Sequence, residues 1–446
     1  DWISKNGKRR LKMKQLTRLF IPICLETLFY MLSGMVDTLM LSAVGDYAVG
    51  AVGTANSYIG IFIIMFSIIS SGMVSVMTQN IGAGRPGVAY QARQLGLLFN
   101  AVAGVLMAVF LFSGAGAILR MVGIADALYE PALIYLKIVG GGCILNAVIP
   151  IFSSYLRAFG YTKQPLYATI VGNIANFVMN AVFLFVLHKG VAGVAAATVI
   201  SKILNLCIVL YFSHKLISAK NSTERIANKT VLGQIVKVGL PSACETALYN
   251  VAMMLVIRFL NQMDAEGLNV TARSYTATIS NFSYCVGAAL AQANAIMTGW
   301  HIGAGELEEC DRGTKRAAFV GVCVAVCMET AIVLGSGFIM PLFTDNPEMT
   351  ALVRKLLAID IVLEIGRVTN LVFGQALKTS GDAVFPAVIA AVFMFVFAVG
   401  GTWLFGISMG LMAVGAYIGL ASDECVRAVG MVWRWKTGKW RTKKLV

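Results

Sequence analysis

A few ionisable residues lie inside long apolar stretches of this chain, and they mark where its chemistry can be sought. A charge at the centre of a bilayer costs about 2.5–3.5 kcal/mol on insertion scales, so each is a site hypothesis. Asp37 stands alone: it lies roughly 22 Å beyond Pro22 along an ideal helix, with no charged neighbour one turn away. Such a carboxylate can hold a proton or a cation, or bond to Ser and Thr side chains and hold helices together. Asp360, Glu364 and Arg367 follow one another at i, i+4 and i+7, which puts them on one helical face. Asp423 and Glu424 precede Arg427 by four and three residues. Both sets can contact a polar substrate, or they can satisfy themselves as salt bridges. Glu26 and Glu245 sit toward the basic ends of their stretches, where a structural, gating or substrate role is open. Arg258 is placed to snorkel. Glu329 has no local partner and no role that its neighbours define.

The elements that must position these residues are membrane helices. Hydrophobic residues make up 58% of the chain and charged residues 13%, against about half and a quarter in soluble proteins. About 20 apolar residues cross a hydrocarbon core of roughly 30 Å as a helix. Such runs are expected near 18–43, 52–80, 95–122, 130–156, 165–187, 191–213, 234–260, 272–300, 316–342, 351–378, 385–405 and 409–433. The formal net charge of +14 could point to nucleic acid, but Lys and Arg collect at alternate span ends, which the positive-inside rule makes cytoplasmic. Both termini are therefore expected inside. The first long apolar run is a full span after a basic segment, so no cleavable signal peptide is expected.

The chain is written twice. Pro22, Glu26, Thr27 and Tyr30 return as Pro241, Glu245, Thr246 and Tyr249; Ile81 to Gly84 returns as Ile302 to Gly305; Leu156 to Pro165 returns as Leu377 to Pro386. Six spans per half is an even number, so the halves share one orientation. Parallel repeats of this kind are related by an axis along the membrane normal, with a shared site near the midplane. The expected architecture is all-α: twelve transmembrane helices in two six-helix lobes around a central cavity, 1–213 and 233–446, joined by a cytoplasmic linker over 214–232. Pro22 and Pro241 are expected to bend their helices. Gly140 to Gly142, Gly172, Gly193, Ala195 to Ala197, Gly287 to Ala289 and Gly400 to Gly401 are expected to allow close helix contacts.

Several function classes find no support. Nine Cys and three His residues form no cluster at metal-ligand spacing. Cys323 and Cys327, four apart on one helix, read as ordinary packing. The paired Ile-Gly-Ala-Gly segments follow no strand and complete no phosphate loop, so they read as turns.

The order of these features resembles the MATE family, the multidrug and toxic compound extrusion transporters. The residues that carry the likeness are Pro22 with Asp37, the segments Leu156 to Pro165 and Leu377 to Pro386, and Gly190 to Thr198. The resemblance implies an inner-membrane antiporter that exports organic compounds against an inward proton or sodium gradient. It also implies an N-terminal-lobe coupling site, which falls on Asp37, Asn176, Asn180 and Thr198. Asn180 stands where many members have a second acid. The C-terminal cation site of other members would need acids near Tyr249 and Arg367, and it is absent here.

The expected function is thus a secondary antiporter for amphipathic organic compounds, coupled to H+ or Na+, with no cofactor and no nucleic-acid partner, acting as a monomer in the plasma membrane. Asp360, Glu364, Arg367, Asp423, Glu424, Arg427, Glu26 and Glu245 are its candidate substrate or gating residues. A flippase for lipid-linked saccharides is the related alternative, although such proteins often have about fourteen spans. A membrane enzyme is the remote one, and a channel would need a continuous pore.

Overall fold

The computed structural model describes residues 13–122, 124, 126–217, 224–264 and 267–446. With no water in a hydrocarbon core to bond the backbone, helices satisfy it internally, and the described residues contain no strand. The first half holds α1 (Met13–Ser42), α2 (Asp46–Gly82), α3 (Pro86–Val122), α4 (Asp126–Gly141), α5 (Cys143–Ala158), α6 (Lys163–Ala181) and α7 (Gly190–Leu216). The second holds α8 (Asn228–Met263), α9 (Leu268–Gly303), α10 (Leu307–Ile339), α11 (Pro347–Ser380), α12 (Val384–Phe393) and α13 (Met412–Lys436).

Among the described residues, eight helical segments are long and apolar enough to cross a membrane, and α4 with α5 forms a ninth span bent by 42°. The remaining three, α9, α11 and α13, have spanning lengths of 36, 34 and 25 residues but carry more polar side chains. These are the twelve expected spans of an all-helical integral membrane protein. Several run past the expected ends: α2 has 37 residues, about 55 Å of helix, because it starts as early as Asp46 and runs on to the glycine stop at Gly82 to Gly84. The bend lies at Gly142, between α4 and α5.

Turns repeat with the sequence. Gly84 and Gly305 close α2 and α9 at φ 77° and 76°. In each case the next residue, Arg85 or Glu306, donates its N–H back to the carbonyl of Asn80 or His301 at 2.8 Å. This is a Schellman-type end, for which glycine supplies the left-handed backbone. Gly160 and Gly381 do the same after α5 and α11, at φ 84° and 97°. The paired glycine motifs are therefore helix stops. Two further repeated features have no local sequence signal: α6 continues as a π-helix over Val182–Val186, and α12 as π-helices over Met394–Val399 and Thr402–Ser408.

The chain divides into two compact units. The N-terminal unit runs from Ile21 to Gly239; the C-terminal unit runs from Leu240 to Val446 and includes the start of α1 up to Phe20. The divisions fall inside α1 and α8, just ahead of Pro22 and Pro241, and both helices run on through those prolines. The interval expected as a linker is shorter than its polar composition implied, because α7 continues to Leu216 and α8 begins at Asn228; residues 218–223 lie outside the described residues. Leu111, Leu119, Leu136, Ala147 and Val191 are among the core residues of the N-terminal unit, and Val256, Leu260, Leu356, Leu357 and Ala416 among those of the C-terminal one. Within the C-terminal unit α11 lies hard against α13: a Cβ on Gly366 would stand 2.7 Å from the Cys425 nitrogen. That contact brings the charged faces of the two helices together.

Candidate functional site

In the N-terminal unit the side chain of Asp37, on α1, accepts a hydrogen bond from Asn180 Nδ2 on α6 at 2.8 Å. The same amide nitrogen donates to Asn176 Oδ1 at 3.1 Å, one turn earlier on α6. Asn176 and Asn180 are buried, Asn180 completely. Three of the four expected coupling residues thus form one connected set. Thr198 stands apart from it: its hydroxyl donates to the Val194 carbonyl of its own helix at 2.9 Å and lies beside Tyr135.

The structure adds a residue that the sequence reading passed over. Lys202 lies one turn beyond Thr198 on α7, on the same helical face. Its Nζ donates to Asn146 Oδ1 on α5 at 2.8 Å, and its charge acts on Asp37. No ion pair within 4.0 Å joins the two among the described residues, so Lys202 is a tethered positive charge near the carboxylate and not its partner. Its position between Thr198 and the end of an otherwise apolar span was the available signal.

The C-terminal unit holds a larger charged network. Arg427 on α13 bonds Asp423 and Glu424 at 2.7 and 2.8 Å, the spacing read from the sequence. Glu424 also accepts from Asn370 at 3.0 Å and lies 3.9 Å from Arg367 Nε. Arg367 bonds Glu364 one turn earlier on α11 and lies over the Tyr284 ring at 5.8 Å. Glu329, which has no partner in its own helix α10, is completely buried against Asp360 and Glu364 of α11. Its surroundings come from another helix, which is why its own sequence neighbours defined no role.

Glu26 and Glu245 turn out to be repeat-related in partner as well as position. Glu26 pairs with Arg157 at 2.5 Å, and Glu245 with Lys378 at 2.8 Å. Arg157 and Lys378 each follow the leucine that opens the repeated segment, so both units tie the middle of one helix to the last turn of another with one ion pair. Arg258 is exposed on α8. Cys323 and Cys327 are free thiols exposed on α10.

This geometry can be set beside known proteins. The MatE family profile matches residues 22–182 and 241–404. The "Uncharacterized transporter YisQ" of Bacillus subtilis (strain 168) is 32% identical over 428 residues, covering 95% of this chain and 94% of the relative. The "Probable multidrug resistance protein NorM" of Thermotoga maritima is 20% identical, covering 97% and 94%. A solved structure described as the outward-facing conformation of a multidrug resistance MATE family transporter of the MOP superfamily shares the fold, with a TM-score of 0.82, 21% identity and 96% of each chain covered. With the profile spanning both halves and that relative aligned over nearly the whole chain, this protein belongs to the MatE family of multi-pass membrane transporters.

Proposed function

We propose that the protein is a secondary antiporter that exports amphipathic organic compounds by alternating access, in exchange for an inward-moving proton bound at Asp37. The observation that carries the reading is the set Asp37, Asn180 and Asn176, with Lys202 in electrostatic reach, in a chain of this family. With Asp37 ionised, Asn180 ties α1 to α6 by donating to both Asp37 and Asn176. A protonated carboxyl becomes a donor and needs an acceptor. Asn180 Oδ1 is buried with no hydrogen-bond partner among the described residues, and it can take that role once the amide turns over. Proton binding therefore rearranges the α1–α6 tie, and the ionised state is free to hold a cationic substrate.

Lys202 supports the proton over sodium. A sodium ion needs the field of its oxygen ligands, and here a single carboxylate supplies the negative charge while an ammonium opposes it. A proton forms a covalent O–H bond and depends less on that field. We place the protein in the plasma membrane as a monomer, with both termini on the cytoplasmic side that its basic span ends mark.

The test is substrate efflux from proteoliposomes with proton and sodium gradients imposed separately. Efflux should follow the proton gradient and lose its dependence on it in Asp37→Asn. Gradient-driven efflux that survives this substitution would remove Asp37 from the mechanism, and efflux driven by sodium alone would overturn the choice of ion.

A further inference from the structure

The N-terminal unit holds a buried cation that its ion pairs leave unexplained. Arg93, near the start of α3, is 7% exposed. Its guanidinium carbon lies 4.6 Å from the centre of the Tyr90 ring, 5.4 Å from that of Phe152 and 5.3 Å from that of Tyr155. Ring faces offset part of a positive charge, but the five N–H donors that a guanidinium carries in its plane call for oxygen acceptors. Among the described residues Arg93 makes no hydrogen bond and no ion pair, and its buried Nε has no acceptor. Glu26 of α1 is held by Arg157 instead. The arginine is no requirement of the fold, since Thr314 occupies the matching place in the C-terminal unit.

Two more unpaired donors belong to the same place. Tyr155 of α5 is 1% exposed, and its hydroxyl makes no hydrogen bond among the described residues. Its ring contacts Arg93, whose charge acts on the hydroxyl. Ser213, in the last turn of α7, is 2% exposed, and its hydroxyl is unbonded as well. The repeat sets it beside the others. Ser213 lies as far past the left-handed turn at Gly190 as Trp435 lies past the one at Met412. Tyr90 and Phe152 correspond to Asp311 and Phe373 in the registers of Ile81 with Ile302 and Leu156 with Leu377. Trp435 bonds Asp311 at 2.7 Å and packs on Phe373 with ring centres 5.9 Å apart. Ser213 therefore stands among the residues that frame Arg93, with a hydroxyl where the other unit has an indole.

We propose that Arg93, Tyr155 and Ser213 form a site in the N-terminal unit for a phosphate group, either free or on the head of an anionic lipid. An arginine fork takes two oxygens of an oxyanion side by side. A flat carboxylate has no more to give, whereas a phosphate keeps further oxygens for the hydroxyls on α5 and α7. Burial strengthens each of these bonds and makes the same donors costly to leave unpaired. Arg85, just ahead of α3, and Lys215, in the last turn of α7, are exposed at the same end and add a positive field that draws anions. Ser213 lies about 16 Å along α7 from Lys202. The site is thus separate from Asp37 and stands whether or not that residue couples transport.

The experiment follows binding and thermal unfolding of the full-length purified protein in detergent, in two arms. One titrates 32P-orthophosphate by equilibrium dialysis, with chloride of equal ionic strength as the control. The other adds dioleoyl phosphatidylglycerol in mixed micelles and reads bound lipid by native mass spectrometry, with dioleoylglycerol, the same chains without phosphate, as the control. Saturable binding of one phosphate or one lipid per chain, with a rise in melting temperature that the control does not give, supports the site, and the arm that responds names the source. Affinity should fall by about tenfold to a hundredfold in Arg93→Gln, as hydrogen bonds to a charged group are lost. Tyr155→Phe removes only an oxygen that bonds nothing in the described protein. It should weaken binding while leaving the ligand-free melting temperature unchanged, which keeps the test decisive should Arg93→Gln fail to fold. No saturable binding to folded wild type in either arm overturns the proposal, as does an affinity that Tyr155→Phe and every folded Arg93 variant leave unchanged.

Discussion

Lys202→Gln isolates the charge that the N-terminal unit sets against a cation at Asp37. Glutamine keeps an N–H donor within reach of Asn146, which now accepts from Lys202 at 2.8 Å, and removes only the ammonium. The size of the effect follows from Coulomb's law. The ammonium forms no ion pair within 4.0 Å of Asp37 among the described residues, yet each group acts on the other. At an effective dielectric constant of about 20, opposition to a bound monovalent ion is about 4 kcal/mol at 4 Å and about 2 kcal/mol at 8 Å. For a separation of about 8 Å, removing it should tighten sodium binding at Asp37 by about 30-fold, and by more at a shorter one. Titration of 22Na+ onto purified protein, in Lys202→Gln and in Lys202→Gln with Asp37→Asn, measures this directly. The gain should vanish in the double variant. An unchanged sodium affinity in Lys202→Gln, or a gain that persists without Asp37, would refute the idea that Lys202 selects against sodium there.

Four further outcomes are expected. Glu26→Gln and Arg157→Gln should each destabilise the protein by more than the double substitution does, because a single change leaves a half-buried charge unpaired; thermal melts of the cycle give a coupling of about 1–3 kcal/mol. Gly366→Ala should cost about 1–3 kcal/mol, since the added methyl overlaps the backbone of Glu424 and Cys425 and must push α11 from α13. Arg427→Met should be the most damaging single change in the C-terminal unit, at about 3–5 kcal/mol, because it strands Asp423 and Glu424; expression and melting temperature report it. Thr198→Val should leave ion-coupled efflux within about twofold of wild type, since its hydroxyl is already bonded to its own helix, whereas Asn180→Leu should abolish coupling in the same vesicles.

The spans were legible because length and apolar content decide whether a helix can cross a bilayer, and the glycine turns because the two halves repeat them. The bend at Gly142 was not: Gly140 to Gly142 permit close contact and a break equally well, and only packing chooses. The π-helical ends of α6 and α12 lack a local residue signature for the same reason. Asp37 was legible from its type and place, and Asn180 as its companion only through the resemblance to the MATE family, but Lys202 was hidden inside an apolar span where one basic residue hardly changes the mean. The partners of Glu26 and Glu245 could have been read from the repeat register alone, since Arg157 and Lys378 occupy matching places. Glu329 could not, because the residues that surround it lie on α9 and α11.

The repeat also shows how one scaffold came to carry opposite charges. The positive backbone angles at His188 and Gly190, 49° and 54°, recur at Gly410 and Met412, 71° and 53°. That register sets Lys202 of α7 opposite Glu424 of α13. Asn146 of α5, in the register of the leucines at 156 and 377, corresponds to Arg367 of α11. Lys202 touches Asn146, and Glu424 faces Arg367. One contact between equivalent helices is thus kept in both units, with the cation on the last span, α7, in the first unit and two spans before the last, on α11, in the second. The position of the contact belongs to the fold, since close packing of α5 on α7 and of α11 on α13 brings these positions together whatever occupies them. Its polarity does not. Reversal leaves the N-terminal unit with a lysine facing a lone carboxylate, and the C-terminal unit with an arginine surrounded by acids. The fold thus fixes where the contact lies, while the residue types at its two ends set the sign of the charge on each helix, independently in each unit.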